Sequence, residues 1–169
     1  LSQFVYQTLR YRGFSSDNIY FLSCETGTGV DAASSFNNIK TALTTWAQGS
    51  PNLFIYLIDH GQEQSSNVYV RCNETDVLYA STLNQWLDDL QNSGTSLLTL
   101  VVDCCQSGGF LNKCHATGAQ QRIVIGSADA KEPAFFSAGG LISFTEAFVN
   151  ALYSGLTIGH SFDLAAGAM

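Results

Sequence analysis

Two apolar runs of strand length constrain what this chain can fold into more than any other feature of its sequence. Residues 53–58 are followed by an aspartate and then His60, and residues 97–102 by an aspartate and then Cys104 and Cys105. Continuous apolar runs are typical of strands buried on both faces of a parallel sheet. If the two runs are neighbouring parallel strands, an imidazole and a thiol meet at one edge, which is the minimum set for a cysteine nucleophile.

Helix-like and strand-like segments alternate along the rest of the chain. Helices are predicted at residues 1–12, after Asp31 and from Ser81. Two more are predicted, one from the capping box of Ser143 and Glu146 to about Tyr153 and one from Ser161 to the end. Strands are predicted at residues 18–23 and 122–125, and a hairpin at residues 68–70 and 77–79. Asp31 and Ser81 are the predicted N-caps of their helices, and residues 62–67 are predicted to be a loop. This order predicts an α/β fold whose mostly parallel central sheet carries helices on both faces, with the small hairpin off that sheet.

Three polar residues lie within a few positions of the ends of predicted strands. His60, Cys105 and Asp129 each lie just past a strand end. Ligands bind at the carboxyl edge of a parallel sheet, so we expect a site there. Ordinary capping of strand ends would place the same residues at this edge, and that structural explanation stays open.

The two adjacent cysteines are predicted to differ in role. Side chains alternate along a strand, so Cys104 is predicted to point into the covering helices and Cys105 to lie at the turn. An imidazole beside a thiol raises the fraction of reactive thiolate, and His60 and Cys105 could therefore form a thioester with a substrate carbonyl. The N–H groups of Gly61 and Cys105 are the predicted donors to the oxyanion. The alternative is a sheet protein with incidental thiols.

Composition narrows the classes of function. The chain has 169 residues, which suits a single domain, with 46% hydrophobic and 12% charged residues and a net charge of −7. Its 7 Lys and Arg are scattered, which argues against a nucleic-acid partner. We find no apolar run long enough for a membrane span and no signal peptide. Abundant Ser, Thr, Asn and Gln with little Lys favours an exported protein.

The cysteine pattern does not indicate a metal site. The 5 cysteines are odd in number and include no C-x-x-C pair, so neither a zinc site nor a disulfide framework is predicted. Cys24 follows an apolar run and is predicted to be a buried thiol. A bridge between Cys72 and Cys114 is compatible with the sequence but is not indicated by it.

Residues 59–61 and 103–108 resemble the His-Gly and Asp/Glu-x-Cys-x-Ser-Gly motifs of the caspase-like (clan CD) cysteine peptidases. The similarity extends over nearly the whole chain and is closest to bacterial legumain-like members. It includes the helical segments before the two key strands, residues 38–43 and 83–91, and the later segments 122–128, 143–145 and 147–152. The resemblance implies a caspase-like three-layer sandwich, formed by one domain over residues 1–169. Because the sequence opens on a helix-like segment, we expect that the usual first strand is missing at the N-terminus, and with it the arginine that legumains place in their specificity pocket.

The resemblance also implies an endopeptidase that acts on peptide or protein substrates and needs no cofactor. By the matching motifs, His60 is the general acid and base, Cys105 is the nucleophile, and the amides of Gly61 and Cys105 form the oxyanion hole. Asp103, two residues before the nucleophile, would line the pocket for a basic or asparagine P1 side chain, and Asp129 is a second pocket candidate. Two alternatives stay open, a catalytically silent caspase-like binding module and a flavodoxin-like ligand-binding domain.

Overall fold

The computed structural model describes residues 1–137, 139 and 141–169. They form two compact units, Ser34–Pro133 and the combination of Leu1–Ala33 with Ala134–Met169. In chain order the α-helices and β-strands are α1 (Ser2–Tyr11), β1 (Leu22–Ser23), β2 (Ala32–Ala33), α2 (Phe36–Thr41), β3 (Asn52–Ile58), β4 (Gly61–Gln64), β5 (Asn67–Arg71), β6 (Val77–Tyr79), α3 (Ala80–Asn92), β7 (Leu97–Asp103), α4 (Gly108–Cys114), β8 (Gln121–Gly126), β9 (Phe136–Ser137), β10 (Ile142–Ser143), α5 (Phe144–Tyr153) and α6 (Ile158–Ala168). A 3-10 helix at Ser16–Asn18 follows α1, and a π-helix at Ala42–Trp46 continues α2. The single domain over residues 1–169 stays a prediction.

The parallel sheet of the first unit has the strand order β3-β7-β8. β7 lies in the middle, paired with β3 from Asn52 and Leu97 onwards and with β8 on its other side. Its apolar side chains are almost completely buried, which explains why the run lacks alternation. The prediction of a mixed α/β fold with parallel strands is confirmed for these three strands.

A second, antiparallel sheet has the order β4-β5-β6. The predicted hairpin of residues 68–70 and 77–79 is confirmed as β5 and β6. The loop prediction for residues 62–67 is wrong, since β4 pairs with β5 across a two-residue turn at Ser65 and Ser66, both with positive φ. The β4 side chains from Gln62 to Gln64 are exposed, so backbone pairing and not side-chain burial makes this strand.

Two predicted helix caps are also wrong. The N-cap of α2 is Ser35, whose hydroxyl accepts from the Asn38 N–H at 3.1 Å. Asp31 instead accepts from the Phe21 N–H at 2.8 Å. Helix α3 begins at Ala80, so Ser81 lies inside its first turn, where the hydroxyl accepts from the Asn67 side chain. Both side chains are used by partners distant in sequence, so neither is available as a cap.

A buried arginine ties the helices of this unit to the sheet. The Arg122 side chain, only 1% exposed, pairs with Asp88 at 2.8 Å. The guanidinium also donates to the Gln91 and Asn84 side chains at 2.9 and 2.8 Å and to the Cys114 carbonyl at 3.0 Å. One side chain at the start of β8 thereby fixes α3 and the end of α4.

The second unit combines α1, α5 and α6 with two short strand pairs, β1-β2 and β9-β10. The predicted helix after Ser143 is confirmed, with the Ser143 hydroxyl accepting from the Glu146 N–H at 3.1 Å. The buried strand predicted at residues 18–23 is reduced to Leu22–Ser23, and Cys24 is exposed rather than buried. Of the helices in the described residues, none has the length and apolar character needed to cross a membrane.

Candidate functional site

The two strands that carry the predicted catalytic residues end in register. Ile58, the last residue of β3, lies opposite Asp103, the last residue of β7. One step further, the Asp59 N–H donates to the Asp103 carbonyl at 3.3 Å. His60 and Cys105 each follow the Ile58–Asp103 pair by two residues, so the parallel pairing brings both to the same edge of the sheet.

His60 is held by its backbone. Its N–H donates to the Asp59 carboxylate at 2.6 Å, and its carbonyl accepts from the Arg71 N–H in β5 at 2.8 Å. The residue itself is exposed. The imidazole therefore stands at the surface, on a backbone fixed between the end of β3 and the antiparallel sheet.

Gly61 makes the closest approach between the two segments. A Cβ atom at Gly61 would clash with the Sγ of Cys104 and with the backbone carbonyl oxygen of Cys105. No L-residue with a side chain fits there without moving the backbone, which explains why glycine follows the histidine. Direct packing thus joins the start of β4 to the cysteine pair.

The two thiols have different environments. Cys104 is completely buried, while Cys105 is partly exposed. Burial, with smaller contributions from the nearby Asp103, Cys105 and Asp59, raises the pKa of the Cys104 thiol from its ordinary 9.0 to about 12. Cys104 therefore stays protonated and out of contact with solvent at neutral pH, as the strand alternation predicts. Cys105 is the accessible thiol of the pair.

The turn after Cys105 is tightly hydrogen-bonded. The N–H groups of Gln106 and Gly108 donate to the carbonyls of Glu132 and Ala128, both at 2.8 Å, and the Ser107 N–H donates to the Cys104 carbonyl at 3.3 Å. These three N–H groups already have acceptors within the protein, so none of them is available to a bound molecule.

Ser107 is a site residue whose structural role the sequence interpretation missed. Its buried hydroxyl accepts from the Ala128 N–H at 2.9 Å and donates to the Ala128 carbonyl at 3.2 Å. The neighbouring Gly108 lies so close to the next loop that a Cβ atom there would be 2.5 Å from the Ala130 N atom. The Ser-Gly pair of the motif therefore clamps the loop after β8 to the cysteine turn, and the motif itself was the available signal.

The two predicted pocket carboxylates lie in different settings. Asp103 is completely buried at the end of β7. Asp129 is exposed in the loop after β8, where its carbonyl accepts from the Glu132 N–H at 3.2 Å. The structure therefore puts Asp129, and not Asp103, in contact with solvent near the cysteine turn.

The remaining cysteines form no bridge within the part of the chain that the structure describes. Cys72 and Cys114 are both buried thiols, and burial raises the pKa of Cys114 to about 12. Across residues 1–137, 139 and 141–169, no group of three or more His, Cys, Asp or Glu side chains is arranged to hold a metal ion.

Comparison with models of protein families gives a match. The family model described as the peptidase C13 family matches residues 44–140, which is more than half of the chain and includes β3, the cysteine turn and β8. No curated protein matches the chain.

Proposed function

The chain belongs to the peptidase C13 family, the legumain-type cysteine peptidases of clan CD, and on this premise we propose that it is an endopeptidase with a His60–Cys105 dyad. Membership confirms the resemblance drawn from the His-Gly and Cys-x-Ser-Gly motifs. The observation that carries the proposal is the in-register end of β3 and β7, which gives His60 and Cys105 equivalent positions at one sheet edge. Cys105 is also the partly exposed member of its thiol pair, while Cys104 is buried.

In the proposed reaction His60 takes the proton of the Cys105 thiol, and the thiolate attacks the carbonyl carbon of the scissile peptide bond. The negative oxygen of the tetrahedral intermediate is stabilised by the N–H groups of Gly61 and Cys105. His60 then gives the proton to the leaving amine, and a thioester with Cys105 remains. Water, deprotonated by His60, attacks the thioester and releases the new carboxylate and the thiol.

The substrate proposed is a peptide with Arg, Lys or Asn at P1. The exposure of Asp129 supports a direct contact with a basic P1 side chain. Asp103 lies buried at the end of the strand that leads to the nucleophile. In this proposal it is a buried part of the pocket and not its solvent-facing carboxylate. A net charge of −7 is consistent with attraction of cationic peptides.

The caspase-like three-layer sandwich is also a proposal. Three parallel strands with the nucleophile after the central one support it. The helix α3 before β7 and the helix α4 after the cysteine turn follow the alternation expected of such a fold.

The proposal is tested with fluorogenic peptides that carry Arg, Lys, Asn or Asp at P1. We expect hydrolysis of at least one of the first three, and a loss of about 10⁴-fold or more in kcat/KM for Cys105→Ala. Cys104→Ala is the matched control and should keep far more turnover than Cys105→Ala, because the buried thiol supports Gly61 by packing but takes no part in the reaction. A folded protein that cleaves none of the panel, or a Cys105→Ala variant with unchanged turnover, would contradict the proposal and favour a silent binding module.

Asp129→Asn tests the pocket separately. If Asp129 contacts a basic P1 side chain, the substitution should raise the KM for substrates with Arg or Lys at P1 and change the KM for a substrate with Asn at P1 only a little. Preference for Asp at P1 would contradict an acidic pocket.

A further inference from the structure

Gln106, the residue directly after the proposed nucleophile, has an unusual backbone conformation. Its φ is +61°, in the left-handed region that side-chain-bearing residues rarely adopt. Among the described residues, the other non-glycine positions with positive φ are Ser65 and Ser66, which form the tight turn of a hairpin. Gln106 is in no such hairpin turn, so its conformation must be held by its surroundings.

Three hydrogen bonds hold Gln106. Its N–H donates to the Glu132 carbonyl at 2.8 Å, and its own carbonyl accepts from the Gly109 N–H at 3.0 Å. Its side-chain Oε1 accepts from the backbone N–H of Glu63. The first two bonds fix the turn itself, and the third reaches across to β4.

The bond to Glu63 connects the two halves of the proposed dyad. β4 begins at Gly61, immediately after His60, and Glu63 is two residues further along the same strand. Gly61 already packs against Cys104 and Cys105 at one end of this segment. The Gln106 side chain adds a second, directional contact between the same segment and the nucleophile turn.

We infer that Gln106 is a positioning residue, which fixes the Cys105 turn relative to the strand that follows His60. This inference rests on the proposed function of His60 and Cys105. Gln106 itself does not touch the reacting atoms, and it acts through the N–H of Glu63. Glycine would adopt the same φ more readily but has no side-chain acceptor, so the placement of a glutamine here is explained by the bond to β4 and not by the turn.

The test compares three variants at Gln106. Gln106→Met keeps the length of the side chain and removes the acceptor, Gln106→Glu keeps an acceptor oxygen, and Gln106→Gly removes the acceptor while relieving the backbone conformation. Gln64→Met is the matched control. Gln64 is an exposed residue of β4, the strand that contains Glu63, and its side chain accepts a hydrogen bond from the Tyr79 hydroxyl, which the substitution removes. The readouts are kcat, KM, the unfolding temperature, and the rate of Cys105 alkylation by iodoacetamide.

We expect Gln106→Met and Gln106→Gly to lower kcat by about 10- to 100-fold with KM changed less than about threefold, the size of effect that small misplacements of reacting groups produce. Gln106→Glu should recover most of kcat at the pH of its maximum, and Gln64→Met should match the wild type. Gln106→Gly should lower kcat even where its unfolding temperature equals or exceeds that of the wild type.

Unchanged kcat in a folded Gln106→Met variant would overturn the inference. A Gln106→Gly variant with wild-type kcat would also overturn it, since the side-chain acceptor would then have no effect on catalysis. If the wild type cleaves no peptide, the proposed function fails on its own. The rate of Cys105 alkylation by iodoacetamide then tests the role of Gln106. The inference requires slower alkylation in Gln106→Met than in Gln64→Met. Equal rates in the two variants would overturn the inference.

Discussion

Gly61 packs directly on Cys104, with no space between them for even a methyl group. The completely buried Cys104 thiol is therefore the surface on which the segment after His60 rests. The same contact reaches the backbone carbonyl of Cys105. The two adjacent cysteines divide their roles, since one fills the interior beneath the edge and the other is left accessible at the turn.

Adding a methyl group at Gly61 should disrupt this contact. For Gly61→Ala we expect the free energy of unfolding to fall by about 1–3 kcal/mol, the usual cost of overpacking, because one of the clashing atoms is backbone. Peptide hydrolysis should fall as well, since the segment after His60 has to move. Urea unfolding and kcat/KM measure the two effects.

The control for this substitution is Gly159→Ala in α6. A Cβ atom there meets nothing within 4 Å, and alanine is favoured over glycine inside a helix. Its free energy of unfolding should therefore stay the same or rise by up to about 1 kcal/mol. A Gly61→Ala variant as stable and as active as Gly159→Ala would contradict the packing of Gly61 on the cysteine pair.

The buried thiols should make the protein sensitive to alkaline pH. Burial raises the pKa of Cys104 and of Cys114 from 9.0 to about 12. Between these two values the unfolded chain loses thiol protons that the folded protein keeps, so stability falls as the pH rises. We expect the full contribution of each thiol below about pH 9 and its progressive loss towards pH 12.

Urea unfolding of Cys114→Ala under reducing conditions measures this effect. The variant should be less stable than the wild type at neutral pH, because the thiol fills buried space. Its deficit should shrink as the pH rises above 9, since alanine has no proton to lose. A deficit that is constant from neutral pH to about pH 11 would show that the Cys114 thiol ionises alike in both states.

Arg122 is expected to be a major source of stability for the unit Ser34–Pro133. Arg122→Met leaves the Asp88 carboxylate without its cation and removes three further hydrogen bonds. The free energy of unfolding should fall by about 2–3 kcal/mol, less than the usual ~3–5 kcal/mol for a broken buried pair, because Asp88 is 33% exposed. Lys113→Met, at an exposed lysine of α4, should change it by less than about 0.5 kcal/mol. Equal effects of the two substitutions would contradict the role of Arg122.

Asp76 should contribute stability that disappears in acid. Its carboxylate accepts from the Phe36 N–H at the start of α2 and from the Asn73 side chain, both at 3.2 Å. These bonds, with a smaller contribution from Thr75, lower the pKa of Asp76. The contribution is present above the ordinary aspartate pKa of about 3.9 and is lost as the pH falls through the lower folded value.

Asp76→Asn should therefore be less stable than the wild type at neutral pH, and its stability should decline less between about pH 5 and pH 2. Thermal unfolding across this range measures both effects, with Asp163→Asn at an exposed position of α6 as the control. Parallel pH curves for the wild type and Asp76→Asn would show that the carboxylate does not depend on these bonds.

The parts of the fold that the sequence predicts correctly are those fixed by burial. The run at residues 97–102 is a strand whose side chains are almost all buried, and burial also separates Cys104 from Cys105. The run at residues 53–58 pairs along it, with Ile55 buried and its other side chains half-buried. The parts it misses depend on pairing between distant groups. β4 is polar and is held by the backbone of β5, and Ser81 has its partner in Asn67 rather than in its own helix.

The candidate site shows the same division. The edge that carries His60 and Cys105 follows from two strand ends, which local sequence reveals. The left-handed conformation of Gln106 does not follow from local sequence, because its hydrogen-bond partners Glu63 and Glu132 are distant in sequence. Glutamine has no intrinsic preference for that conformation, so no local rule could predict it.

Covalent labelling by a peptidyl acyloxymethyl ketone tests the central claim most directly, since the reagent reacts with an activated cysteine nucleophile. Peptide mapping by mass spectrometry should locate the adduct on Cys105 in the wild type and in Cys104→Ala. Labelling of His60→Ala should be slower by at least about 100-fold, because general-base assistance is typically worth 10²–10⁴-fold. An adduct on Cys104, or labelling of Cys105 at an unchanged rate in His60→Ala, would contradict a His60–Cys105 dyad.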